Sequence, residues 1–269
     1  MKLFKAGKFT LDLSKKTYIM GILNVTPDSF SDGGKWFSVE NAVNHAIKMQ
    51  NDGADIIDIG AQSTKPGCIK ISPEQELERL MPVLKALRGK INVPISVDTF
   101  YPEVAKEALN EGVDIINDVS GFKDEQMIKV ASQHICGCVV MHDGSNSQMK
   151  DFFEVQLKKM LDKNISQDRI CFDPGIGFGK TYEESLEVLR NLKEYSISDF
   201  PMLVGASRKR VIGMSCGNPA FEKRLPGTIA AHTLAIANGA NIIRVHDVKE
   251  AVQAAKVTDA ILNLKKENN

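Results

Sequence analysis

The chain has 269 residues, of which 43% are hydrophobic and 25% are charged, a composition typical of a globular protein with a sizeable core. Lys and Arg number 34, as do Asp and Glu, so the charge balance argues against nucleic acid or an anionic membrane as a partner. No run approaches the ~20 apolar residues of a membrane span, and we expect a single domain over residues 1–269 that acts on small molecules in the cytoplasm.

The first dozen or so residues, with FKAGKFTLDL, predict a small hairpin that closes the lower end of the main domain. From Tyr18 onward, short apolar runs alternate with longer stretches of helical period. The predicted strand and helix pairs are 18–25 with 38–51, 54–60 with 73–87, 94–100 with 102–110, 114–121 with 124–134, 137–142 with 150–164, 169–175 with 182–194, 201–207 with 226–238, and 241–247 with 248–265.

Eight such units, with strands that are almost wholly apolar, predict an α/β fold: an eight-stranded parallel β/α (TIM) barrel surrounded by its helices. A doubly wound open sheet is the alternative. Three joints between a helix and the next strand repeat in DGADIIDIG, EGVDIINDV and NGANIIRVH. Each places a glycine, at positions 53, 112 and 239, where a helix ends and left-handed backbone is favoured.

Polar side chains follow the apolar runs, at the carboxyl ends of the strands where barrels carry their active sites. Asp98, Asn117 and Asp173 follow three different strands, so a closed barrel directs them into one bowl. Two carboxylates and an amide match the donors of a planar heterocycle with ring N–H and amino groups. Capping of the next helix or a role in a turn is the alternative for each of them, Asp98 in particular.

Basic residues after the last two strands indicate an anion site, because barrels commonly hold phosphate there. Arg208 and Lys209 follow the seventh strand, and Arg244 and His246 follow the eighth. Salt bridges to residues such as Asp247 are the alternative role. The glycines of DPGIGFGK let backbone approach a ligand closely, although their spacing matches no nucleotide-binding loop.

The first strand runs into a long polar segment in GILNVTPDSFSDGG. Asn24 lies where the strand reaches the rim of the barrel. We interpret Thr26 to Gly34 as a mobile cover, whose start is restricted by Pro27 and whose end is freed by two glycines.

Eight motifs resemble, in content and order, those of the bacterial dihydropteroate synthases: GILNVTPDSFSDGG, STKPG, SVDT, IINDVSG, DPGIGFGKT, LVGASRK, RLPGTIAAH and RVHDV. The resemblance extends from about Tyr18 to Asp247. It implies a pterin-binding transferase of folate biosynthesis that joins hydroxymethyl-dihydropterin diphosphate to 4-aminobenzoate and releases diphosphate. It also implies a homodimer.

The resemblance further implies a role for particular residues. The pterin ring would be held by Asp98, Asn117, Asp173 and Lys209, and the diphosphate by Thr64, Arg244 and His246. The arylamine pocket would be formed by Asp28, Phe30, Lys65, Pro66, Phe178 and Ser207. Asn24 would serve Mg²⁺, the implied cofactor, and the catalytic residues would be Asp98, Asp173, Lys209 and Asp28.

The second loop, GAQSTKPG, departs from the family, which commonly has Glu and Arg in place of Gln62 and Lys65. Lysine keeps the charge of arginine but loses its planar fork. Three alternatives have a different chemistry: a related methyltransferase that moves a methyl group from a folate to a cobalt cofactor, an aldolase that uses Lys209 as a Schiff base, and a noncatalytic barrel that only binds.

Overall fold

Two sheets form the framework of the protein in the computed structural model, which describes residues 2–26, 35–62 and 70–263, with the backbone alone for residues 35–38. The first is an antiparallel hairpin of β1 (Leu3–Ala6) and β2 (Phe9–Asp12). The second has eight parallel strands: β3 (Tyr18–Asn24), β4 (Ile56–Gly60), β5 (Ile95–Asp98), β6 (Ile115–Asp118), β7 (Gly137–Met141), β8 (Ile170–Asp173), β9 (Leu203–Val204) and β10 (Ile242–Val245).

The helices that follow these strands cover the outside of the sheet. They are α1 (Lys35–Asn51), α2 (Pro73–Leu87), α3 (Pro102–Asn110), α4 (Glu125–Gln133), α5 (Met149–Asp162), α6 (Tyr182–Arg190), α7 (Leu192–Tyr195), α8 (Arg210–Ser215), α9 (Leu225–Ala237) and α10 (Val248–Asn263). No helix within these described ranges is long and apolar enough to cross a membrane.

The eight strands close into a barrel. Hydrogen bonding gives the order β8-β7-β6-β5-β4-β3-β10-β9, and the remaining gap is closed by a parallel bridge between Phe172 and Met202. The Phe172 N–H donates to the Pro201 carbonyl at 2.9 Å across the same gap. The predicted barrel is therefore confirmed, and the alternative of an open doubly wound sheet is wrong.

The alternation of side chains along the strands divides the core into two parts. Ile57 and Ile59 of β4 lie in the large apolar layer between the strands and the helices. Ile56 lies in a smaller cluster inside the barrel, with residues of β3, β6, β7, β8, β9 and β10. The hairpin supplies the rest of this inner cluster, including Phe4 and Leu11, so it plugs the lower end of the barrel as the sequence predicts.

The three repeated glycines have the predicted left-handed backbone, with φ of +101° at Gly53, +103° at Gly112 and +106° at Gly239. The main departures from prediction are short helices. The helix predicted at 182–194 breaks at Asn191 into α6 and α7, and α8 forms between β9 and α9. A helix of six residues is too short to show a helical period in the sequence.

Candidate active site

Three polar side chains gather at the carboxyl end of the barrel, as the sequence predicts. Asp98, Asn117 and Asp173 end or nearly end β5, β6 and β8, and all three are buried. Asp98 and Asn117 are direct neighbours in the register of β5 with β6. The alternative role of Asp98 as a helix cap is wrong, because Tyr101 occupies the N-cap position of α3.

Arg244 crosses the interior of the barrel from β10 and contacts carboxylates on two other strands. Its Nε donates to Oδ2 of Asp58 at 2.6 Å, and its Nη2 donates to Oδ2 of Asp98 at 2.7 Å. Although burial opposes it, these carboxylates hold the pKa of Arg244 above its ordinary value. The guanidinium is thus a fixed cation at the base of the bowl, with Nη1 as the nitrogen that neither carboxylate occupies.

Buried carboxylate oxygens remain unpaired around this arginine. Oδ1 of Asp98 and Oδ1 of Asp58 have no hydrogen-bond partner among the described residues. Burial raises the pKa of Asp98 to about 7, although Arg244 opposes the shift. Burial also raises the pKa of Asp173, against the effect of Lys209. A buried acceptor without a partner is uncommon in a folded protein, and a ligand with N–H groups would satisfy the one on Asp98.

Lys209 supplies the second cation of the bowl. Its Nζ donates to the Ile176 carbonyl at 2.7 Å and lies 4.6 Å from the centre of the Phe178 ring. Burial lowers the pKa of Lys209 to about 8, while the Asp173 carboxylate acts in the opposite direction. At neutral pH the side chain is therefore mostly an ammonium ion beside a carboxylate.

Ser207 and His246 are hydrogen-bonded to each other at the rim of the bowl. The backbone N–H of His246 donates to Oγ of Ser207 at 3.2 Å, and that hydroxyl lies 2.9 Å from Nδ1 of His246. A serine oxygen has one hydrogen and two lone pairs, so it can either donate to Nδ1 or accept from it, and in both cases Nε2 is the ring nitrogen left for a ligand. Burial, with Arg244 and Arg208 nearby, lowers the pKa of His246 to about 4. The imidazole is therefore neutral at pH 7.

Arg208 is paired with a carboxylate of the protein and so has a structural role rather than a role in binding an anionic ligand. It pairs with Asp247 through both Nε and Nη2, and so adopts the alternative role that the sequence left open. Its backbone has a φ of +56°, in the left-handed region that a residue with a side chain rarely occupies. The Arg208 N–H donates to Oγ1 of Thr228 at 2.9 Å. These contacts of Arg208 with Asp247 and Thr228 hold in place the segment that carries Ser207 and Lys209.

Two glycines of DPGIGFGK pack closely against protein backbone, whereas the sequence predicts that they let the backbone approach a ligand. A Cβ on Gly175 would lie 2.1 Å from the His142 carbonyl oxygen, and one on Gly179 would lie 2.7 Å from the Gly144 nitrogen. Both have positive φ, of +66° and +58°. Their close approach is therefore to the loop after β7 rather than to a ligand, and that packing places Phe178 beside Lys209.

This geometry agrees with a family match. Residues 20–246 match the family model described as pterin binding enzyme. The chain belongs to this family. It is 43% identical to the dihydropteroate synthase of Clostridium beijerinckii over 267 residues, which cover 96% of this chain and 99% of that protein.

Solved structures agree with this membership of the pterin binding enzymes. The dihydropteroate synthase of Clostridium difficile, solved in the presence of pteroic acid, is 45% identical with a TM-score of 0.90, and the match covers 93% of this chain and 98% of that one. The dihydropteroate synthase of Xanthomonas albilineans with 4-aminobenzoic acid is 36% identical with a TM-score of 0.92, covering 97% and 98%.

Sequence reasoning missed one residue that contacts two side chains of this bowl. Asp58 is fully buried in the middle of β4 and contacts both Arg244 and the Nδ2 of Asn117, the latter at 3.2 Å. Its signal was present in ADIIDIG. A lone acidic residue inside an otherwise apolar strand has to be paired, because an unpaired buried charge is very unfavourable.

Several predicted site residues lie outside the part of the chain that the structure describes. They are Asp28, Phe30, Thr64, Lys65 and Pro66. The interpretation of Thr26 to Gly34 as a cover also falls largely outside it. Gln62, at the last described position before the second gap, accepts a hydrogen bond from the Ile71 N–H at 2.7 Å.

Asn24 is exposed at the end of β3, which is the position predicted for a metal ligand of this pterin binding enzyme. The described residues contain no group of three or more His, Cys, Asp or Glu side chains that could hold a metal. Mg²⁺ prefers oxygen ligands and keeps several waters, so it binds through one or two protein groups together with substrate phosphates. An accessible amide oxygen at the rim fits that kind of site.

Proposed function

We propose that this chain is a transferase that joins (7,8-dihydropterin-6-yl)methyl diphosphate to 4-aminobenzoate, with 7,8-dihydropteroate and diphosphate as products. The observation that carries this conclusion is the 43% identity to a dihydropteroate synthase along 99% of its length. The buried set of Asp98, Asn117 and Asp173 with Lys209 supports it. The alternatives of an aldolase, a methyltransferase and a noncatalytic barrel are therefore not adopted.

The pterin ring binds deepest in the bowl. Asn117 donates to Asp58 through Nδ2, so its carbonyl oxygen is the atom offered to a ligand. Asp98 has an unpaired oxygen, and Asp173 lies across the bowl. These acceptors match the ring N–H and amino groups of a pterin, while Lys209 provides the donor for a ring acceptor.

The reaction forms a carbon–nitrogen bond and breaks a carbon–oxygen bond. The amine nitrogen of 4-aminobenzoate attacks the methylene carbon, the diphosphate leaves with the electron pair of the C–O bond, and the amine then loses a proton. Positive charge grows on the methylene and the dihydropterin as the C–O bond lengthens. Asp98 and Asp173 stabilise that charge electrostatically, in a buried site where such interactions are strong.

The diphosphate meets the donors at the rim. Arg244 offers Nη1, since its other nitrogens hold carboxylates. His246 donates from Nε2, the ring nitrogen that Ser207 does not contact, in the tautomer that this proposal requires, and Thr64 joins them as a further donor. Asn24 would hold Mg²⁺, whose charge neutralises that of the leaving diphosphate. Around the amine, Phe178 and Ser207 line the arylamine pocket, to which Asp28, Phe30, Lys65 and Pro66 also contribute.

A product assay tests this function. Purified chain with Mg²⁺ and both substrates is expected to form dihydropteroate and diphosphate in equal amounts, measured by chromatography and by a coupled diphosphate assay. Omission of 4-aminobenzoate is the control and should abolish dihydropteroate. Transfer of a methyl group to a cobalamin partner, without diphosphate release from these substrates, would contradict the proposal.

We further propose that the chain forms a homodimer of single barrel domains and that the reaction takes place in the cytoplasm. Apolar side chains on two neighbouring helices support the dimer. Leu234 on α9 is 59% exposed, and Val257 and Ile261 on α10 are 55% and 61% exposed. Exposed apolar side chains on two helices that pack together are typical of an interaction surface.

Leu234→Glu is expected to convert the dimer to monomers, because a carboxylate would be buried unpaired in the interface. Sedimentation velocity at micromolar protein concentration measures the change. Val155→Glu is the matched control, since Val155 is 53% exposed on α5, away from this face. An equal sedimentation coefficient for the wild type and Leu234→Glu would remove this surface from the proposal.

A further inference from the structure

We propose that Asp58 is a positioning residue for the pterin diphosphate: it orients Arg244 and Asn117 toward the ligand without touching the ligand itself. This inference rests on the function proposed above. It concerns a residue that lies beneath the bowl rather than on its surface.

Asp58 lies one layer below the residues that face the bowl. Register pairs Gly60 of β4 with Asp98, and Asp98 with Asn117, in one layer. Asp58 is two residues earlier on the same face of β4, paired with Ser96. Its side chain has no exposed surface, whereas that of Arg244 is 17% exposed. A ligand in the bowl therefore reaches Arg244 but not Asp58.

Asp58 and Asp98 together determine the plane of the Arg244 guanidinium. One carboxylate accepts from Nε at 2.6 Å and the other accepts from Nη2 at 2.7 Å. Because the guanidinium is planar and rigid, two such contacts on adjacent nitrogens also determine where Nη1 points. Without Asp58, Arg244 would keep the contact to Asp98 but lose the one at Nε. The guanidinium could then rotate about the contact that remains.

Asp58 also determines which end of the Asn117 amide meets the ligand. Nδ2 of Asn117 lies 3.2 Å from the same Oδ2 that accepts from Arg244. An ionised carboxylate can only accept hydrogen bonds, so the amide has to turn its NH₂ group toward Asp58. Its carbonyl oxygen is then offered to the ligand. The site should therefore select a ring that has an N–H group at that position.

Stability alone does not explain a carboxylate at this position. The neighbouring interior position of β4 is occupied by Ile56, which packs in the apolar cluster above the hairpin. Asp58 instead leaves Oδ1 without a partner among the described residues. Apolar residues often replace a buried ion pair with no loss of stability. Its geometric effect on two ligand-facing groups provides the reason for its presence.

Asp58→Asn tests the inference, because it keeps the shape of the side chain and removes the charge that orients both neighbours. We expect the KM for the pterin diphosphate to rise about tenfold, the order expected when a charged hydrogen-bond partner is lost, with a smaller change in kcat. Asp114→Asn is the matched control: Asp114 is a buried carboxylate at the other end of the barrel that accepts from the Ile95 N–H.

The pH profile distinguishes positioning from a general structural effect. The charged or titratable groups that act on Asp98 are Arg244, Asp58, Glu76 and Lys209. In the wild type, kcat/KM for the pterin diphosphate should fall as the pH drops through about 7, where Asp98 gains a proton. Asp58→Asn removes a negative charge near Asp98 and leaves Arg244 paired with Asp98 alone, and both changes lower the pKa of Asp98. The acid limb of the pH profile should therefore move to lower pH.

A double-mutant cycle with Arg244→Gln completes the test. If Asp58 acts largely through Arg244, the two changes together should cost much less than the product of their separate effects. An unchanged KM and acid limb in Asp58→Asn, or fully multiplicative effects in the cycle, would overturn the inference. If Asp58→Asn does not fold, Asp58→Glu displaces the carboxylate by one methylene, and an unchanged KM there would overturn it equally. Failure of the wild type to form dihydropteroate would instead refute the proposed function.

Discussion

Lys209→Met is expected to lower kcat/KM for the pterin diphosphate by roughly two to three orders of magnitude, the loss seen when one preorganised donor is removed from a catalytic site. Methionine retains most of the side-chain volume but cannot replace the ammonium that donates to the Ile176 carbonyl. It also leaves Asp173 without its neighbouring cation, which disfavours the ionised carboxylate. Steady-state measurement of diphosphate release gives the ratio.

The control for this variant is Lys129→Met on α4, where the lysine is exposed and remote from the bowl. Its kinetics should match those of the wild type. Thermal melting of both variants checks that the barrel remains folded. Full activity in folded Lys209→Met would mean that the bowl is not the pterin site.

Asp98→Ala should abolish capture of the pterin while leaving a stable fold. The substitution removes an acceptor for the ring and one of the two carboxylates that hold Arg244. Burial raises the pKa of Asp98 to about 7, so at pH 8 the folded protein holds an ionised carboxylate less favourably than the unfolded chain does. Two effects on stability oppose each other at pH 8, because the variant removes that carboxylate but leaves the buried Arg244 cation with Asp58 alone. A cooperative thermal melt checks that the fold is retained, whereas binding of dihydropteroate in calorimetry should be lost.

Asp124→Ala serves as the comparison, because it should lower stability without affecting the bowl. Asp124 is the N-cap of α4, where its side chain accepts from the Gln126 N–H at 2.8 Å. Loss of such a cap typically lowers the free energy of unfolding by about 1 kcal/mol. Its kinetic constants should not change. If Asp98→Ala bound dihydropteroate as tightly as Asp124→Ala does, Asp98 would not be a pterin ligand.

The fold could be predicted from the sequence to a large extent because its signals are local. Each strand is a short apolar run, and glycines such as Gly53 and Gly239 mark the ends of helices through backbone that other residues avoid. The short helix α8 could not be predicted in this way. Its six residues are too few to show a helical period.

The sequence predicts which strand ends bring polar side chains together, but not which of those side chains bind one another. The positions of Asp98, Asn117 and Asp173 follow from the ends of strands, so closure of the barrel is enough to bring them together. The partners of Arg244 do not follow, because Asp58 lies 186 residues away in the sequence. A cation at the rim can bind either an anionic ligand or a carboxylate of the protein. Which of the two it binds depends on side-chain geometry, which the spacing of apolar residues does not encode.

The hairpin under the barrel constrains the order in which two substrates can bind. Phe4 and Leu11 fill the lower end of the barrel, so a ligand reaches the bowl from the opposite end. If the pterin lies against Asn117 and Asp98 and the arylamine lies above it, as proposed, the pterin has to bind first. An arylamine that bound first would block the entry of the pterin. The hairpin therefore implies ordered rather than random binding of the two proposed substrates.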